Sequence, residues 1–302
     1  MREMQRALDP LLPPAVAARA EEIGEAKARL PLLPLLGLGG LAGAFIAIGA
    51  QLFTVVTTET NFGFGADRLI GGVAFSLGLV LVVIAGAELF TGNNLVIMAW
   101  ASRRVSTLLL LNNWLIVYGA NLVGALATVG LVYWSRQWTL DNFAVGATAL
   151  KVADAKTELS FGAAFARGVL ANALVCLAVW LAYSGRSNTD KILGVVFPIT
   201  AFVASGFEHS IANMYFIPMG ILVKEDAAVR AASGLSAADL ADLNVGSFIV
   251  DNLVPVTLGN IVGGALLVGL VYWLIYLWPR RRQARGAAAD PRQPEPVAEE
   301  GP

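Results

Sequence analysis

The chain of 302 residues has very little of what most chemically active proteins use: it contains one histidine, one cysteine and only 14% charged residues. One histidine and one cysteine in different apolar stretches supply no ligand cluster for a metal ion. The single cysteine, Cys176, excludes an intrachain disulfide. A net charge of -1 leaves no basic patch for a nucleic acid. No glycine-rich phosphate loop follows a strand, so nothing supports ATP-driven transport, and we expect neither a metal nor a cofactor.

Apolar residues make up 57% of the chain, and the mean hydropathy is +0.67. Ordinary globular domains have about 45 to 50% apolar residues. A single membrane crossing needs about 20 apolar residues. Six stretches satisfy that length, roughly 31–58, 69–100, 108–135, 161–184, 192–223 and 246–278. The sequence therefore predicts an all-α membrane protein with six transmembrane helices.

The two ends of the chain differ from its apolar middle. The first 30 residues lack the apolar region and cleavage site of a signal peptide. Residues 15–30 are predicted to form an amphipathic helix on the membrane surface or under a pore, with a solvated lead-in helix as the alternative. The segment after residue 284 is rich in Pro, Ala and Glu and is predicted to be disordered. We therefore expect an N-terminal segment (1–30), a membrane domain (31–278) and a tail (279–302).

The distribution of lysine and arginine predicts the orientation, because cytoplasmic loops carry an excess of both. Of the 21 basic residues, 14 fall on one side of the predicted topology together with both termini. The other 7 are Arg68, Arg136, Lys151, Lys156, Arg167, Lys224 and Arg230. We therefore expect both termini to lie in the cytoplasm and the protein to be a multi-pass protein of the inner membrane.

Two strings far apart in the sequence are related. GAELFTGN (86–93) and GFEHSIAN (206–213) share Gly, Glu and Asn at the first, third and eighth places. The spans that follow each string contain asparagines eight residues apart, which are Asn113 and Asn121, and Asn252 and Asn260. Three spans per half is an odd number, so the second copy must enter the membrane from the opposite face. The sequence predicts an inverted three-plus-three repeat, with a substrate site where broken helices meet near the midplane.

The second and fifth apolar stretches are too long and too interrupted for simple helical rods. Backbone that leaves a helix inside a bilayer must be buried in protein or line a cavity, because lipid offers no hydrogen bonds. Gly86, Gly92, Pro198 and Gly206 are predicted to mark these breaks.

The strings AGAELFTGN, LAYSGRS, ASGFEHSIANM and IPMG are specific, and the chain that contains them resembles the formate/nitrite transporter family, most closely its bacterial formate channels. The similarity runs from DPLLPPAVAARAEE near the start to VTLGNIVGGALLVGLVYWLIYL before the tail. The resemblance implies a homopentamer whose protomers are aquaporin-like in outline, have interrupted second and fifth helices and each contain a pore. It also implies a small anion as the substrate.

The resemblance further implies the residues of the pore. His209 would face its centre near Thr91, with the motif glutamate Glu208, the loop lysine Lys156 and the pore asparagine Asn172. The apolar constrictions would be formed by Phe75, Leu79, Leu89, Phe90 and Phe202.

The residues themselves favour a functional histidine, because an ionisable group deep in a membrane is costly and usually lies on a substrate or ion path. Glu88 and Glu208 are predicted to satisfy local backbone donors at the breaks or to bridge to neighbouring segments. Lys156, in the polar segment KVADAKTEL, is predicted to gather anions at the outer mouth, with a solvated surface charge as the alternative.

The expected function is a passive or proton-coupled channel for formate, with nitrite or hydrosulfide as the alternative substrate. A dry pore favours the neutral acid over the anion, and His209 is the predicted proton donor or transient positive charge. A water-type pore with a static histidine is one rival. A membrane enzyme that uses Glu208 and His209 as an acid–base pair is another, but no additional intramembrane acid stands near them in sequence, so we expect no enzyme.

Overall fold

The computed structural model describes residues 9–282, and within this range all regular secondary structure is helical and no strand is present. The helices, in chain order, are α1 (Pro13–Ala28), α2 (Leu32–Val56), α3 (Phe64–Leu81), α4 (Phe90–Asn93), α5 (Ile97–Ala101), α6 (Thr107–Trp134), α7 (Ala144–Thr157), α8 (Phe161–Ser184), α9 (Asn188–Ala204), α10 (Ser210–Val223), α11 (Ala227–Ser233) and α12 (Val245–Arg282). A π-helical turn, Val82–Gly86, extends α3, and α12 contains several π-helical segments.

Five helical runs are long and apolar enough to cross a membrane: α2, α3 with its π-helical turn, α6, α8 and α12. The apolar stretch 192–223 does not form one long helix, because it is divided between α9 and α10. Helix α10 is apolar but has only 14 residues. The chain is therefore an all-helical protein with several membrane-spanning helices.

The N-terminal helix is packed against the bundle. It begins at Pro13, where a proline suits the first helical turn because the missing N–H has no partner there in any case. Its buried face includes Val16, Ala17 and Ala20, which pack against residues 95–99 and the last helix. Helix α1 is therefore packed against the bundle and is not a solvated lead-in helix. The predicted disordered tail lies outside the described residues.

Small residues allow two pairs of helices to pack with their backbones in contact. Helix α2 packs along α6, and α8 packs along α12. A Cβ atom at Gly124 would overlap the carbonyl of Gly40, and one at Gly263 would overlap the carbonyl of Val169. Close approach of this kind maximises packing where lipid provides no apolar driving force between helices.

Both helix breaks contain a glycine in the left-handed region, where a side chain would be strained. Gly86 has φ 87° and Gly206 has φ 71°. The other two predicted break markers are wrong: Gly92 lies within α4, and Pro198 lies inside α9, which continues to Ala204. A proline removes one helical hydrogen bond and often only kinks a helix, whereas a positive φ takes the chain out of the helix.

A candidate pore between two pockets

At the first break, which lies between Gly86 and α4, the backbone leaves the helix and several of its polar groups lose their helical partners. Asn121 of α6 binds these groups. Its Oδ1 accepts the N–H of Phe90 at 2.9 Å, and its Nδ2 donates to the carbonyls of Gly39 at 2.7 Å and Glu88 at 2.9 Å. The N–H of Glu88 donates to the carbonyl of Leu38 at 3.2 Å. Asn121 is fully buried, so one amide satisfies three groups that no water reaches.

The second break is held by Asn260 of α12 in the same way. Its Oδ1 accepts the N–H of Ser210 at 2.9 Å, and its Nδ2 donates to the carbonyls of Gly168 at 2.8 Å and Glu208 at 3.0 Å. The N–H of Glu208 donates to the carbonyl of Arg167 at 3.3 Å. Each bond of the first break therefore has a counterpart at the second.

A buried polar cluster, which we call the Lys27 cluster, lies beside the first break. Lys27 Nζ lies 2.6 Å from Glu88 Oε1 and 3.2 Å from Asn93 Oδ1. Asn93 Nδ2 donates to Glu88 Oε2 at 2.7 Å and to Asn113 Oδ1 at 3.1 Å. Asn113 Nδ2 donates back to the carbonyl of Lys27 at 3.1 Å. The cluster joins α1, α4 and α6 around one carboxylate.

The Lys156 cluster has the same arrangement beside the second break. Lys156 Nζ lies 2.9 and 3.0 Å from the two carboxylate oxygens of Glu208. Asn213 Nδ2 donates to Glu208 Oε2 and to Asn252 Oδ1, both at 2.7 Å, and Asn252 Nδ2 donates to the carbonyl of Lys156 at 2.9 Å. One bond differs: Asn213 Oδ1 has no partner within residues 9–282, whereas Asn93 Oδ1 accepts from Lys27.

These contacts change the sequence interpretation of the lysine and the glutamates. Lys156 does not lie in a loop, because its segment forms the last turn of α7. Its side chain is only 14% exposed and is paired with Glu208, so it is not a solvated surface charge. The Glu88 and Glu208 side chains bridge to neighbouring segments, which was one of the two predicted roles. The asparagines, not the glutamates, bind the backbone at the breaks.

The two breaks meet at His209 and Thr91, whose Nε2 and Oγ1 atoms lie 2.8 Å apart. His209 is also the N-cap of α10, where its Nδ1 accepts the N–H of Ala212 at 3.1 Å. Because Nδ1 accepts, the neutral ring carries its proton on Nε2 and donates it to Thr91. The Thr91 hydroxyl hydrogen then has no acceptor among the described residues.

Asn172 of α8 fixes the backbone of Thr91. Its Nδ2 donates to the carbonyl of Thr91 at 3.3 Å and to that of Asn260 at 2.6 Å. Cys176 Sγ lies 3.3 Å from the same Thr91 carbonyl. Asn172 is fully buried, lines neither of the two pockets described next, and holds the Thr91 carbonyl from outside both of them.

A pocket of about 550 Å³, which we call the wide pocket, ends at His209. Its charged lining residues are Arg68, Lys151, Lys156, Arg167, Glu59 and Glu208. Four cationic groups therefore face two carboxylates, and one of those carboxylates is already paired with Lys156. Arg68 is oriented by a bond from its Nε to the carbonyl of Ala204, at 3.0 Å. The wide pocket has the charge that attracts an anion.

A second pocket of about 300 Å³, the narrow pocket, lies beside the first break. Among residues 9–282, its only charged lining residues are Lys27 and Glu88, which pair with each other. The two pockets share no lining residue, and Thr91 lines neither. The barrier between them therefore contains the His209–Thr91 contact.

The apolar residues assigned by resemblance divide between the two sides. Phe75 and Phe202 line the wide pocket, with ring centroids 5.6 Å apart, and Phe202 lies 5.9 Å from the His209 ring. Leu79 and Leu89 line the narrow pocket. Phe90 lines neither and packs its ring on α6, 5.0 Å from Tyr118. Four of the five residues thus flank the barrier.

The family model described as formate/nitrite transporter matches residues 14–274. The chain belongs to this family. It is 48% identical over 272 residues to the formate channel FocA of Escherichia coli strain K12, covering 89% of this chain and 95% of that one. It is 40% identical to the formate channel FocA of Haemophilus influenzae over 86% of this chain and 93% of that one. The family consists of transporters, so the chain is a multi-pass membrane transporter and not an enzyme.

A solved structure gives the same result at the level of the fold. The chain is similar to a pentameric formate channel with formate bound, with a TM-score of 0.76 and 46% identity over 82% of this chain and 98% of that one.

In this member of the family, sequence reasoning did not assign Lys27 to the site, although it singled out the other members of both clusters. A signal for Lys27 is present: EAKARL (25–30) and DAKTEL (154–159) both place an acid two residues before the lysine and a leucine three residues after it. The strings are 129 residues apart, the same spacing as Gly39 and Gly168. A search for repeats at this spacing would have placed Lys27 opposite Lys156.

Proposed function

We propose that the chain is a homopentameric channel of the inner membrane that passes formate, with a pore in each protomer. The observation that carries this proposal is the contact between His209 and Thr91, buried between two pockets that each contain a lysine–glutamate pair. A relative named as a formate channel at 48% identity supports the substrate, and a solved pentameric channel with formate bound supports both substrate and assembly.

The barrier between the pockets favours the neutral acid. Moving a carboxylate into a low-dielectric medium costs several kcal/mol even after relaxation. With the aspartate pKa of about 3.9 as a stand-in for a simple carboxylic acid, protonation at pH 7 costs about 4 kcal/mol. The wide pocket that ends at His209 is lined by the rings of Phe75 and Phe202, of which Phe202 lies 5.9 Å from the His209 ring, and neither ring offers an anion a conventional hydrogen bond. Protonation before the barrier is therefore the less costly route.

The contacts of His209 define how a proton reaches the anion. In the resting ring Nε2–H donates to Thr91 and Nδ1 is occupied by the N–H of Ala212. To form an imidazolium, the ring must take its second proton at Nδ1, from water in the wide pocket. This protonation breaks the hydrogen bond between Nδ1 and the N–H of Ala212. The Nε2 proton then passes through the Thr91 hydroxyl to formate, which becomes formic acid while the ring becomes neutral. Exchange with water restores the resting tautomer.

The architecture that we propose is the inverted three-plus-three repeat, aquaporin-like in outline, with the second and fifth crossings broken. Equivalent residues of the two halves support it, because neighbouring pairs are separated by the same number of residues. They are 129 for Lys27 and Lys156, 120 for Glu88 and Glu208 and for Asn93 and Asn213, and 139 for Asn113 and Asn252 and for Asn121 and Asn260. In this scheme α1 is the counterpart of α7, so the channel unit begins before residue 30.

We place both termini and the narrow pocket in the cytoplasm. The basis is the positive-inside rule, since 14 of the 21 basic residues lie on the side of the termini. The wide pocket, with Arg68, Lys151 and Arg167, then faces outward and receives the anion.

Replacing His209 tests the relay. His209→Asn and Thr91→Val, reconstituted in liposomes, should lose the pH-dependent part of formate uptake because each removes one member of the proton path. Thr91→Ser keeps the hydroxyl and is the matched control, with a wild-type profile expected. The pentamer should survive in all three variants, which light scattering checks.

Two outcomes would contradict the proposal. Wild-type uptake by His209→Asn between about pH 5 and 8, where a histidine ordinarily titrates, would exclude the relay. Rapid water permeation with no formate flux in the unmodified protein would exclude the substrate and favour a water-type pore. A parallel assay with nitrite and hydrosulfide measures the preference among small anions.

A further inference from the structure

Two adjoining pockets of about 140 and 760 Å³ lie outside the pore, where α5 meets α6 and beside residues 273–282 of α12. They share the lining residues Ala101, Arg103 and Trp273. The membrane-spanning helix α6 begins here, at Thr107, and the apolar sequence of α12 gives way here to Arg280, Arg281 and Arg282. These pockets therefore lie at the boundary between the membrane and water.

The lining combines arginine with tryptophan. Arg103, Arg281 and Arg282 lie beside Trp273 and Trp278, and Trp100 lines the larger pocket. Tryptophan is enriched at the level of lipid headgroups because its ring is apolar and its N–H is polar. Basic pockets between membrane helices on the cytoplasmic side are a general mode of binding anionic headgroups.

The floor of the pocket is held rigid by Ser102. Trp273 Nε1 donates to Ser102 Oγ at 2.8 Å, and Arg281 Nη1 donates to the Ser102 carbonyl at 2.8 Å. Arg281 also pairs with Glu21 of α1 at 2.9 Å, and Arg104 pairs with Glu21 at 3.1 Å. Two of the arginines at this end are therefore neutralised by α1.

The other two arginines remain available. Within residues 9–282, neither Arg103 nor Arg282 has a side-chain ion-pair partner, and both are exposed. Arg103 is also a non-glycine residue in the left-handed region, with φ 60°. Backbone strain of this kind is retained where the surroundings require it and often accompanies a binding site.

We infer that this pair of pockets, the Arg103 pockets, binds the phosphate of an anionic phospholipid. Arg103 and Arg282 would bind the phosphate through their forked N–H groups, and the tryptophans would pack against the glycerol and upper acyl chains. Charge complementarity selects this occupant, because the available charged groups at this membrane boundary are cationic and the exposed rings of Trp100 and Trp278 lie beside them.

Lipid titration of the full-length pentamer in mild detergent, followed by native mass spectrometry, tests the inference. Phosphatidylglycerol should bind more tightly than phosphatidylcholine with the same acyl chains. Arg103→Gln and Arg282→Gln should each weaken phosphatidylglycerol binding by about fivefold, the usual effect of one basic residue near an anionic surface. Arg280→Gln is the matched control, since Arg280 is a neighbouring exposed arginine that lines neither pocket, and it should change binding less than twofold.

A second set of variants separates charge from folding. The double variant Arg103→Lys with Arg282→Lys should keep most of the preference for phosphatidylglycerol. Equal binding of the two lipids, or an equal loss in Arg280→Gln, would overturn the inference. So would displacement of the lipid by millimolar inorganic phosphate, which would indicate a site for free phosphate. Loss of the pentamer in Arg103→Gln would show instead that a neighbouring copy of the chain covers this surface.

Discussion

The Lys27 cluster and the Lys156 cluster make nearly the same contacts, yet the pockets beside them differ in size and charge. The wide pocket has about 550 Å³ and three cationic residues beyond its paired lysine. The narrow pocket has about 300 Å³ and, in the described part of the chain, no charged lining residue beyond its lysine–glutamate pair. The two halves therefore share one role and differ in another. Stabilising the non-helical backbone at a break requires the same hydrogen bonds on both sides. Attracting an anion requires excess positive charge on one side only.

The two lysines are also held by different means. Lys156 ends α7, and its side chain is 14% exposed. Lys27 belongs to α1, its side chain is 22% exposed, and α1 is attached through Glu21 to Arg104 and Arg281. The Lys27 cluster therefore depends on ion pairs that are partly open to water, and we expect it to be the weaker of the two.

The largest expected effect comes from removing the asparagine at a break. Asn121→Ala and Asn260→Ala should each lower the free energy of unfolding by about 3 kcal/mol or more, because three buried backbone groups lose their partner and each costs about 1 to 3 kcal/mol. The two losses should be similar, since the bonds correspond one to one. Thermal unfolding of the pentamer measures both.

Asn61→Ala, at an exposed asparagine, is the control for the change of side chain and should leave stability unchanged. A large loss in one break variant and none in the other would show that the two breaks are not equivalent.

A smaller effect is expected from the lysines, and here the two sides should differ. Lys156→Met leaves Glu208 as an unpaired buried carboxylate, a change that typically costs about 3 to 5 kcal/mol. Lys27→Met should cost less, because the Lys27 cluster is more open to water. Thermal stability and formate flux of the two variants give the comparison.

The double variant Lys156→Met with Glu208→Gln tests the reason for that loss. It should recover much of the stability, since no charge is left unpaired. A double variant no more stable than Lys156→Met would mean that the lysine stabilises the protein through packing and not through its charge.

The sequence predicted the correspondence of the two halves from short strings, because a repeat preserves the spacing of residues that make the same bonds. Asn113, Asn121, Asn252 and Asn260 were singled out by spacing alone, and all four make buried bonds at or beside a break. The pairing of His209 with Thr91 followed only from family resemblance, since 118 residues separate them.

Other features could not be predicted because they depend on three-dimensional contacts. Lys156 was placed in a loop because its segment is polar. In the structure that segment is helical and packs against α10, and this contact brings the lysine to Glu208. Phe90 matches a constriction position in sequence, yet its ring turns towards α6. Gly92 and Pro198 show that composition alone does not locate a break. The decisive features are a positive φ and, two residues further on, a backbone carbonyl bound by a distant asparagine.

The smallest predicted effect concerns the cationic lining that distinguishes the wide pocket. Lys151→Gln with Arg167→Gln removes two exposed charges but leaves the Lys156 cluster intact, so stability should not change. Initial formate uptake from the wide side should fall by about two- to fivefold at low salt and low formate, because the lost field no longer concentrates the anion. The loss should disappear near 1 M salt, where the Debye length is about 3 Å.

Arg136→Gln, in the connection before α7 and outside the pocket lining, is the control and should have no effect. Equal loss at all salt concentrations would mean that the two residues contact formate directly, and the wide pocket would then be a binding site and not an electrostatic funnel.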